Sequence, residues 1–317
     1  MNITSFFSGV GGIELAFEQA GFDTVFANEI DKFARETYSA NFNVELDPRD
    51  INDLPEADVP SGDVMIGGFP CQAFSLAGYR QGFNDEKGRG NLFFELDRLY
   101  NYHKPRVVFF ENVKNLVGHD KGNTFRVILD LLHEAGYHVR YKVLNASEYG
   151  NIPQNRERIY IVGFLNEDEC GRFRFPDPIP LTTQLSDVID FDAKVEERYY
   201  YTPEKQKFYP LLEEAITETD TIYQWRRQYV RQNKSGLVPT LTANMGTGGH
   251  NVPLVLTKHG IRKLTPRECF NVQGFPKDYV LPDDVSNGQL YKQAGNSVAV
   301  PVVRRIAEQI MKAIQTV

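Results

Sequence analysis

Cysteine is scarce in this chain: Cys71, Cys170 and Cys269 are the only three in 317 residues. An odd number at such wide spacing builds no disulfide framework. None sits at a metal-ligand spacing, so reduced thiols and no metal site are expected. No apolar run approaches the roughly 18 residues of a membrane span. The first residues run directly into a strand pattern, Ile3-Thr-Ser-Phe-Phe7, without the basic and apolar regions of a secretory signal. A cytoplasmic protein with no membrane partner is therefore expected, as a monomer. Positive charge is also in deficit, with a formal net charge of −7. A polyanionic partner would have to be met by a local cluster of cations, because the total offers none. No internal repeat or low-complexity segment is present. Hydrophobic residues make up 41% and charged ones 24%, an ordinary globular balance, and the length allows a large core and two domains.

The chain opens as strand, glycine turn, helix. Ile3–Phe7 precedes Ser8-Gly-Val-Gly-Gly12, and Ile13, Ala16, Phe17 and Ala20 then share a helical face that ends at Gly21. A glycine turn at that place lets a ligand approach backbone amides. Its Gly-x-Gly-Gly spacing is not the dinucleotide fingerprint. A second strand ends at Asn28-Glu29-Ile30, where doubly wound folds place the acid that holds a ribose. Val64-Met-Ile66 is a buried strand that breaks at Gly67-Gly68 and delivers Pro70-Cys71-Gln72 to a loop, with the proline fixing the backbone before the thiol. By itself such a cysteine reads as a small core hydrophobe. Val107–Phe110 is another buried strand, and its carboxyl end presents Glu111. Ligands of open α/β sheets bind at such ends. Arg156 and Arg158, two apart at the start of a strand over 159–162, would share one face. That strand is reached by a short loop and is expected to run antiparallel. Three prolines, Pro176, Pro178 and Pro180, mark a linker, beyond which the strand–helix alternation is lost. Residues 222–235 hold Arg226, Arg227, Arg231 and Lys234 with no acid, interleaved with Tyr223, Trp225 and Tyr229. This stretch reads either as a solvated basic helix face or as a nucleic-acid contact.

Seven blocks in order carry a resemblance: Phe7-Ser-Gly-Val-Gly-Gly12, Asn28-Glu29, Gly67-Gly-Phe-Pro-Cys-Gln72, Glu111-Asn-Val113, Gln154-Asn-Arg-Glu-Arg158, Arg262 to Pro276, and Gly295-Asn-Ser-Val298. Together they resemble the bacterial cytosine-5 DNA methyltransferases of restriction–modification systems. The resemblance implies an α/β fold, with a doubly wound, Rossmann-like mixed sheet whose last strand is antiparallel, plus a smaller irregular target-recognition domain. Residues 1–178 with 288–317 would form the catalytic and S-adenosylmethionine-binding domain, and 179–287 the recognition domain.

The chemistry accounts for these residue types. Carbon 5 of cytosine is a poor nucleophile until a thiolate adds at carbon 6, the role expected of Cys71. A protonated carboxyl near ring nitrogen 3 must meet the charge that builds on the ring, the role expected of Glu111. By resemblance, Arg158 holds Glu111 and the base carbonyl, and Arg156 supports the cysteine loop or a phosphate. The base must leave the stack to be reached. The resemblance further assigns Phe7, Gly9, Gly11, Gly12, Glu29, Ile30, Asp50, Ile51, Pro70, Leu92, Asn296 and Val298 to the methyl donor. Gln72, Ser75, Arg226, Arg227, Arg231, Thr240 and Leu241 go to double-stranded DNA with a short recognition site. The three arginines are expected to divide between phosphates and base edges. Ile30 stands where some members carry an aromatic, so adenine would pack against it rather than stack. A cognate restriction endonuclease would act on the same site without touching this chain. The rival readings are a cytosine-5 transfer-RNA methyltransferase of the same fold, a dinucleotide oxidoreductase, which the glycine spacing disfavours, and a silent DNA-binding module, which would need neither Cys71 nor Glu111.

Overall fold

The computed structural model describes residues 1–70, 92–245 and 252–315. The strands are β1 (Asn2–Phe6), β2 (Asp23–Asn28), β3 (Leu46–Asp47), β4 (Val64–Gly67), β5 (Val107–Val113), β6 (His138–Asn145), β7 (Gln154–Asn155) and β8 (Glu157–Phe164) in the first half of the chain. All but β7 form a seven-stranded sheet in the order β3-β2-β1-β4-β5-β8-β6. Neighbours from β3 to β5 run parallel, and β8 runs antiparallel to β5. This is the expected doubly wound mixed sheet, with its strand order reversing between β1 and β4. Val107 to Phe110 are fully buried, as a central strand covered on both faces requires. They join Phe6, Met65, Phe93, Leu96, Ile128, Leu132 and Ile161 in the core, which the helices α1 (Gly12–Gln19), α2 (Lys32–Ser39), α3 (Leu92–His103) and α4 (Asn123–Glu134) flank along the chain.

The chain divides into two compact units. One comprises Met1–Leu144, Glu157–Pro176 and Val303–Val317, the other Asn145–Arg156 and Asp177–Val302. Relative to the division expected at 178 and 288, residues 145–156, 177–178 and 288–302 pack in the second unit.

The second unit is less irregular than its lost alternation suggests. It holds β9 (Tyr223–Trp225), β10 (Val230–Gln232), β11 (Val238–Pro239), β12 (Leu254–Thr257) and β13 (Gly260–Lys263), with a four-stranded sheet in the order β10-β9-β12-β13. The basic stretch is therefore a hairpin, not a helix. Tyr223 and Trp225 alternate with Gln224, a period of two that puts both aromatics in the core with Leu212, Leu254 and Ile261. Trp225 stacks on Phe208 at 4.6 Å and 7°. Arg262, fully buried, forks onto both carboxylate oxygens of Glu268 at 2.8 Å each. Glu268 also completes a capping box with Thr265 at the helix Pro266–Val272. The short β11 pairs in parallel with β7.

Candidate active site

The turn after β1 is built for close approach. Phe7 adopts a left-handed backbone at φ 55°, uncommon for a bulky residue. Gly9 follows at φ 56°, with nothing within 4 Å of the place a Cβ would occupy. Gly11, at φ 77°, is demanded by packing: a Cβ there would lie 2.2 Å from the Phe42 ring. Gly12 opens α1. At the end of β2, the Glu29 carboxylate accepts the Gly9 amide on one oxygen and the Asp31 amide on the other, each at 2.7 Å. Burial raises the Glu29 pKa, against which those two amide bonds act. Ile30 beside it is 59% exposed. Asp50 caps the short turn Ile51–Asp53 through the Asn52 amide, and Ile51 is buried in the core. Pro70 is exposed after β4, and Leu92, partly buried, begins α3.

Beneath this turn lies a carboxyl that sequence reading missed. Glu14 falls beside Ile13 on the inner face of α1 and is completely buried. It accepts the Ser5 hydroxyl at 2.6 Å, and Ser8 donates to Ser5 at 3.0 Å, so a hydroxyl chain runs from the buried acid to the glycine turn. Burial outweighs these bonds and pushes its pKa from 4.5 up to about 7, with Glu18 adding slightly in the same direction. A carboxyl raised on folding makes the native state hold a proton the unfolded chain has lost. Its stabilising contribution is therefore complete below pH 4.5 and falls as the pH rises to about 7. The expected decline is about 3 kcal/mol, at ~1.4 kcal/mol per pH unit. Denaturant unfolding of the native chain and Glu14→Gln at pH 5 and pH 8 checks this. The difference in stability between the two should shift in favour of the variant at pH 8; a difference independent of pH would mean that Glu14 titrates normally.

Glu111, near the end of β5, is 8% exposed. The antiparallel run of β8 pairs Glu111 with Tyr160 and Val113 with Arg158, so Arg158 and Glu111 are diagonal neighbours on one face. The Arg158 Nε lies 3.1 Å from the Glu111 Oε1. Gly68 also faces this carboxylate, its would-be Cβ 3.7 Å from Oε2. Asn112 donates to the Phe69 carbonyl at 2.9 Å, tying the end of β5 to the segment after β4. Glu29, Gly68 and Glu111 all stand at the carboxyl ends of parallel strands in one sheet. Cys71, Gln72 and Ser75 lie outside the described residues.

Arg156 does not share the partners of Arg158. It is 2% exposed, and its guanidinium donates to the carbonyls of Leu241, at 2.9 Å, Gly295, at 3.2 Å, and Ser297. These three backbone carbonyls all belong to the second unit, which the Arg156 side chain knits together; the cysteine loop that it was expected to support lies outside the described residues. Leu241 is likewise buried, while Thr240 is exposed and donates to the Asn155 carbonyl at 2.6 Å. Asn296 is exposed and Val298 buried, both in the second unit. Also in this unit, Arg226, Arg231, Lys234 and Thr240 share a cleft of about 590 Å³, together with Gln224, Gln232, Asn233 and Asn155. Arg227, at φ 66° in the hairpin turn, is not among its lining residues.

Comparison with known proteins gives the family. The family described as C-5 cytosine-specific DNA methylase matches residues 1–312. The chain belongs to that family. It is 61% identical over 314 residues to the Type II methyltransferase M.Bsp6I of Bacillus sp. (strain RFL6), covering 99% of each chain. It is 42% identical to the Type II methyltransferase M.NlaX of Neisseria lactamica, covering 99% of this chain and 97% of that one. Among solved structures, the Dnmt2 methyltransferase of S. pombe shares the fold at a TM-score of 0.76, with 18% identity and full coverage of both chains.

The C-5 cytosine methylase thus transfers a methyl group to carbon 5 of cytosine in DNA, and S-adenosylmethionine is its methyl donor. Its residues fit that donor. A carboxylate has about four acceptor positions, and the two amides on Glu29 leave room for a ribose diol. The space at Gly9 admits a ligand against the backbone, and the exposed Ile30 offers an apolar surface for a purine. Among the described residues no group of His, Cys, Asp or Glu is arranged to hold a metal ion. No helix there is long and apolar enough to cross a membrane.

Proposed function

We propose that this methylase is the modification enzyme of a Type II restriction–modification system, methylating one cytosine within a short duplex site through a covalent Cys71 adduct. The Glu111–Arg158 pair carries this reading: a largely buried carboxyl held by a guanidinium at the carboxyl edge of the sheet. In the proposed reaction the Cys71 thiolate adds to carbon 6 of a flipped-out cytosine. Glu111 gives a proton or hydrogen bond at nitrogen 3, and the electron pair gathers at carbon 5. S-adenosylmethionine, when bound, supplies the methyl group that carbon 5 accepts. Loss of the carbon-5 proton returns electrons to the ring and expels Cys71. Arg158 keeps Glu111 in place and is assigned to the base carbonyl. Phe7, Gly9, Gly11, Gly12, Glu29, Ile30, Asp50, Ile51, Pro70 and Leu92 are assigned to the donor, with Asn296 and Val298 added by resemblance. Gln72, Ser75 and Thr240 are assigned to the DNA. Leu241 is assigned a supporting role through its carbonyl, because its side chain is buried. The enzyme is taken to act as a monomer, and a cognate endonuclease to cut the same unmethylated site. Two relatives named as Type II methyltransferases, alike along nearly their whole length, support this assignment.

Incubation with a labelled donor and either mixed-sequence duplex DNA or transfer RNA tests the reading. Label is expected in DNA as 5-methylcytosine at one repeated sequence. Label in transfer RNA alone would overturn it.

A further inference from the structure

The cleft in the second unit separates two kinds of contact. Gln224 on β9 and Arg231 on β10 are directly opposed in the antiparallel register. Their neighbours Tyr223 and Trp225 point into the core, so Gln224 and Arg231 stand on the opposite face, anchored by that packing. Arg226, by contrast, begins the turn that closes on Tyr229, and Lys234 lies in the turn from Asn233 to Gly236. Lining residues with internal work are few in kind: Gln232 donates to Glu218, Asn233 to the Leu237 carbonyl, and Thr240 to the Asn155 carbonyl. Gln224, Arg226, Arg231 and Lys234 have no side-chain hydrogen bond or ion pair with any described residue. No acid lines the cleft. In a chain of net charge −7, three cations gathered without a counter-charge point to an anionic ligand.

We propose that Gln224 and Arg231 are a specificity-determining pair that reads adjacent base edges of the duplex, while Arg226 and Lys234 hold flanking phosphates. The proposal rests on the reading of this chain as a methylase of duplex DNA and extends it to named contacts. A two-stranded β-ribbon fits the major groove. Side chains fixed on strands keep the geometry that base-edge hydrogen bonds need, whereas a phosphate tolerates the looser cations of a turn. The Arg231 fork matches the O6 and N7 acceptors of guanine. The Gln224 amide, with both donors and an acceptor, suits the base edge beside it. Cross-strand neighbours have Cβ atoms about 5 Å apart, a span that suits neighbouring base pairs rather than separate half-sites.

The test uses the full chain on a duplex library with randomised flanks, read out as 5-methylcytosine by sequence, together with methylation rates across a salt series. The wild-type profile defines the site. Arg231→Ala is expected to lose discrimination at one guanine by about 5- to 150-fold. Arg231→Lys keeps the charge without the fork, so it should lose the same preference while the salt slope stays near that of the wild type. Gln224→Ala should relax the adjacent position. Lys234→Ala should weaken all duplexes alike and flatten the salt slope by about one. If Arg231→Lys and Gln224→Ala both keep the wild-type profile, the pair does not read sequence and the proposal fails, although the methylase reading stands. A wild-type enzyme that methylates no duplex would overturn the methylase reading instead.

Discussion

Replacing Cys71 by serine is expected to abolish methyl transfer while leaving donor binding nearly unchanged. Carbon 5 of cytosine reacts only after a nucleophile has added at carbon 6, and the thiolate combines a usable pKa with high nucleophilicity. A serine hydroxyl at the same place is protonated at neutral pH and adds far more slowly. Removal of a covalent nucleophile costs on the order of 10⁶-fold where the whole rate depends on it. Donor affinity should hold because the glycine turn follows β1 and Glu29 follows β2, both apart in sequence from Cys71, and the substitution changes one atom of a side chain not assigned to the donor. The second arm uses duplex carrying 5-fluorocytosine at the target. Fluorine cannot leave as the proton does, so the ring cannot regain its double bond and the adduct persists. Mass spectrometry should find wild-type protein linked to DNA through Cys71, and no link in Cys71→Ser. Wild-type enzyme that methylates ordinary cytosine yet traps no adduct on the fluorinated duplex would refute the covalent route.

Glu111→Gln is expected to slow methyl transfer by about 10²–10⁴-fold, the usual cost of losing a positioned acid, with duplex affinity largely kept. Glutamine has the same shape and can turn its amide oxygen to the guanidinium that lies 3.1 Å from the Glu111 carboxylate, so the strand end has no reason to move. What it lacks is a proton to give as negative charge builds on the ring. The loss should appear in kcat, because the interaction strengthens only on the way to the adduct. Single-turnover rates beside equilibrium duplex binding distinguish this from a structural defect. An unchanged rate would reduce Glu111 to a strand-end residue. An equal loss in affinity and rate would assign it to ground-state binding of the base.

The sequence was most legible where chemistry and local backbone coincide. The Gly9–Gly12 turn, Glu29 after β2 and Glu111 on β5 could all be placed, because glycine pairs and apolar runs mark strand ends and parallel strands direct those ends to one edge. The antiparallel β8 was also readable, since its connection is too short for a crossover. The backbone partners of Arg156 were not legible, for a physical reason. An arginine in a motif looks the same whether it meets phosphate or backbone carbonyls, and only the fold brought Leu241, Gly295 and Ser297 around it. The basic stretch left helix and contact readings open because its alternation of Tyr223, Gln224 and Trp225 spans only three residues, too short to set a period. Glu14 gave no signal at all: a glutamate on an eight-residue helix is ordinarily solvated.

By itself the sequence determined the mixed sheet and the glycine turn after its first strand, and it named candidates for the reacting groups, because those rest on short-range patterns of apolar runs and glycines. Only the tertiary structure decided which charged groups are committed internally and which remain available. Arg156, Arg158 and Glu14 are held by bonds to residues distant in the chain or sealed by burial, while Arg226, Arg231 and Lys234 line a cleft. Burial and partnership depend on segments that approach only after folding, and no local pattern in the chain encodes them.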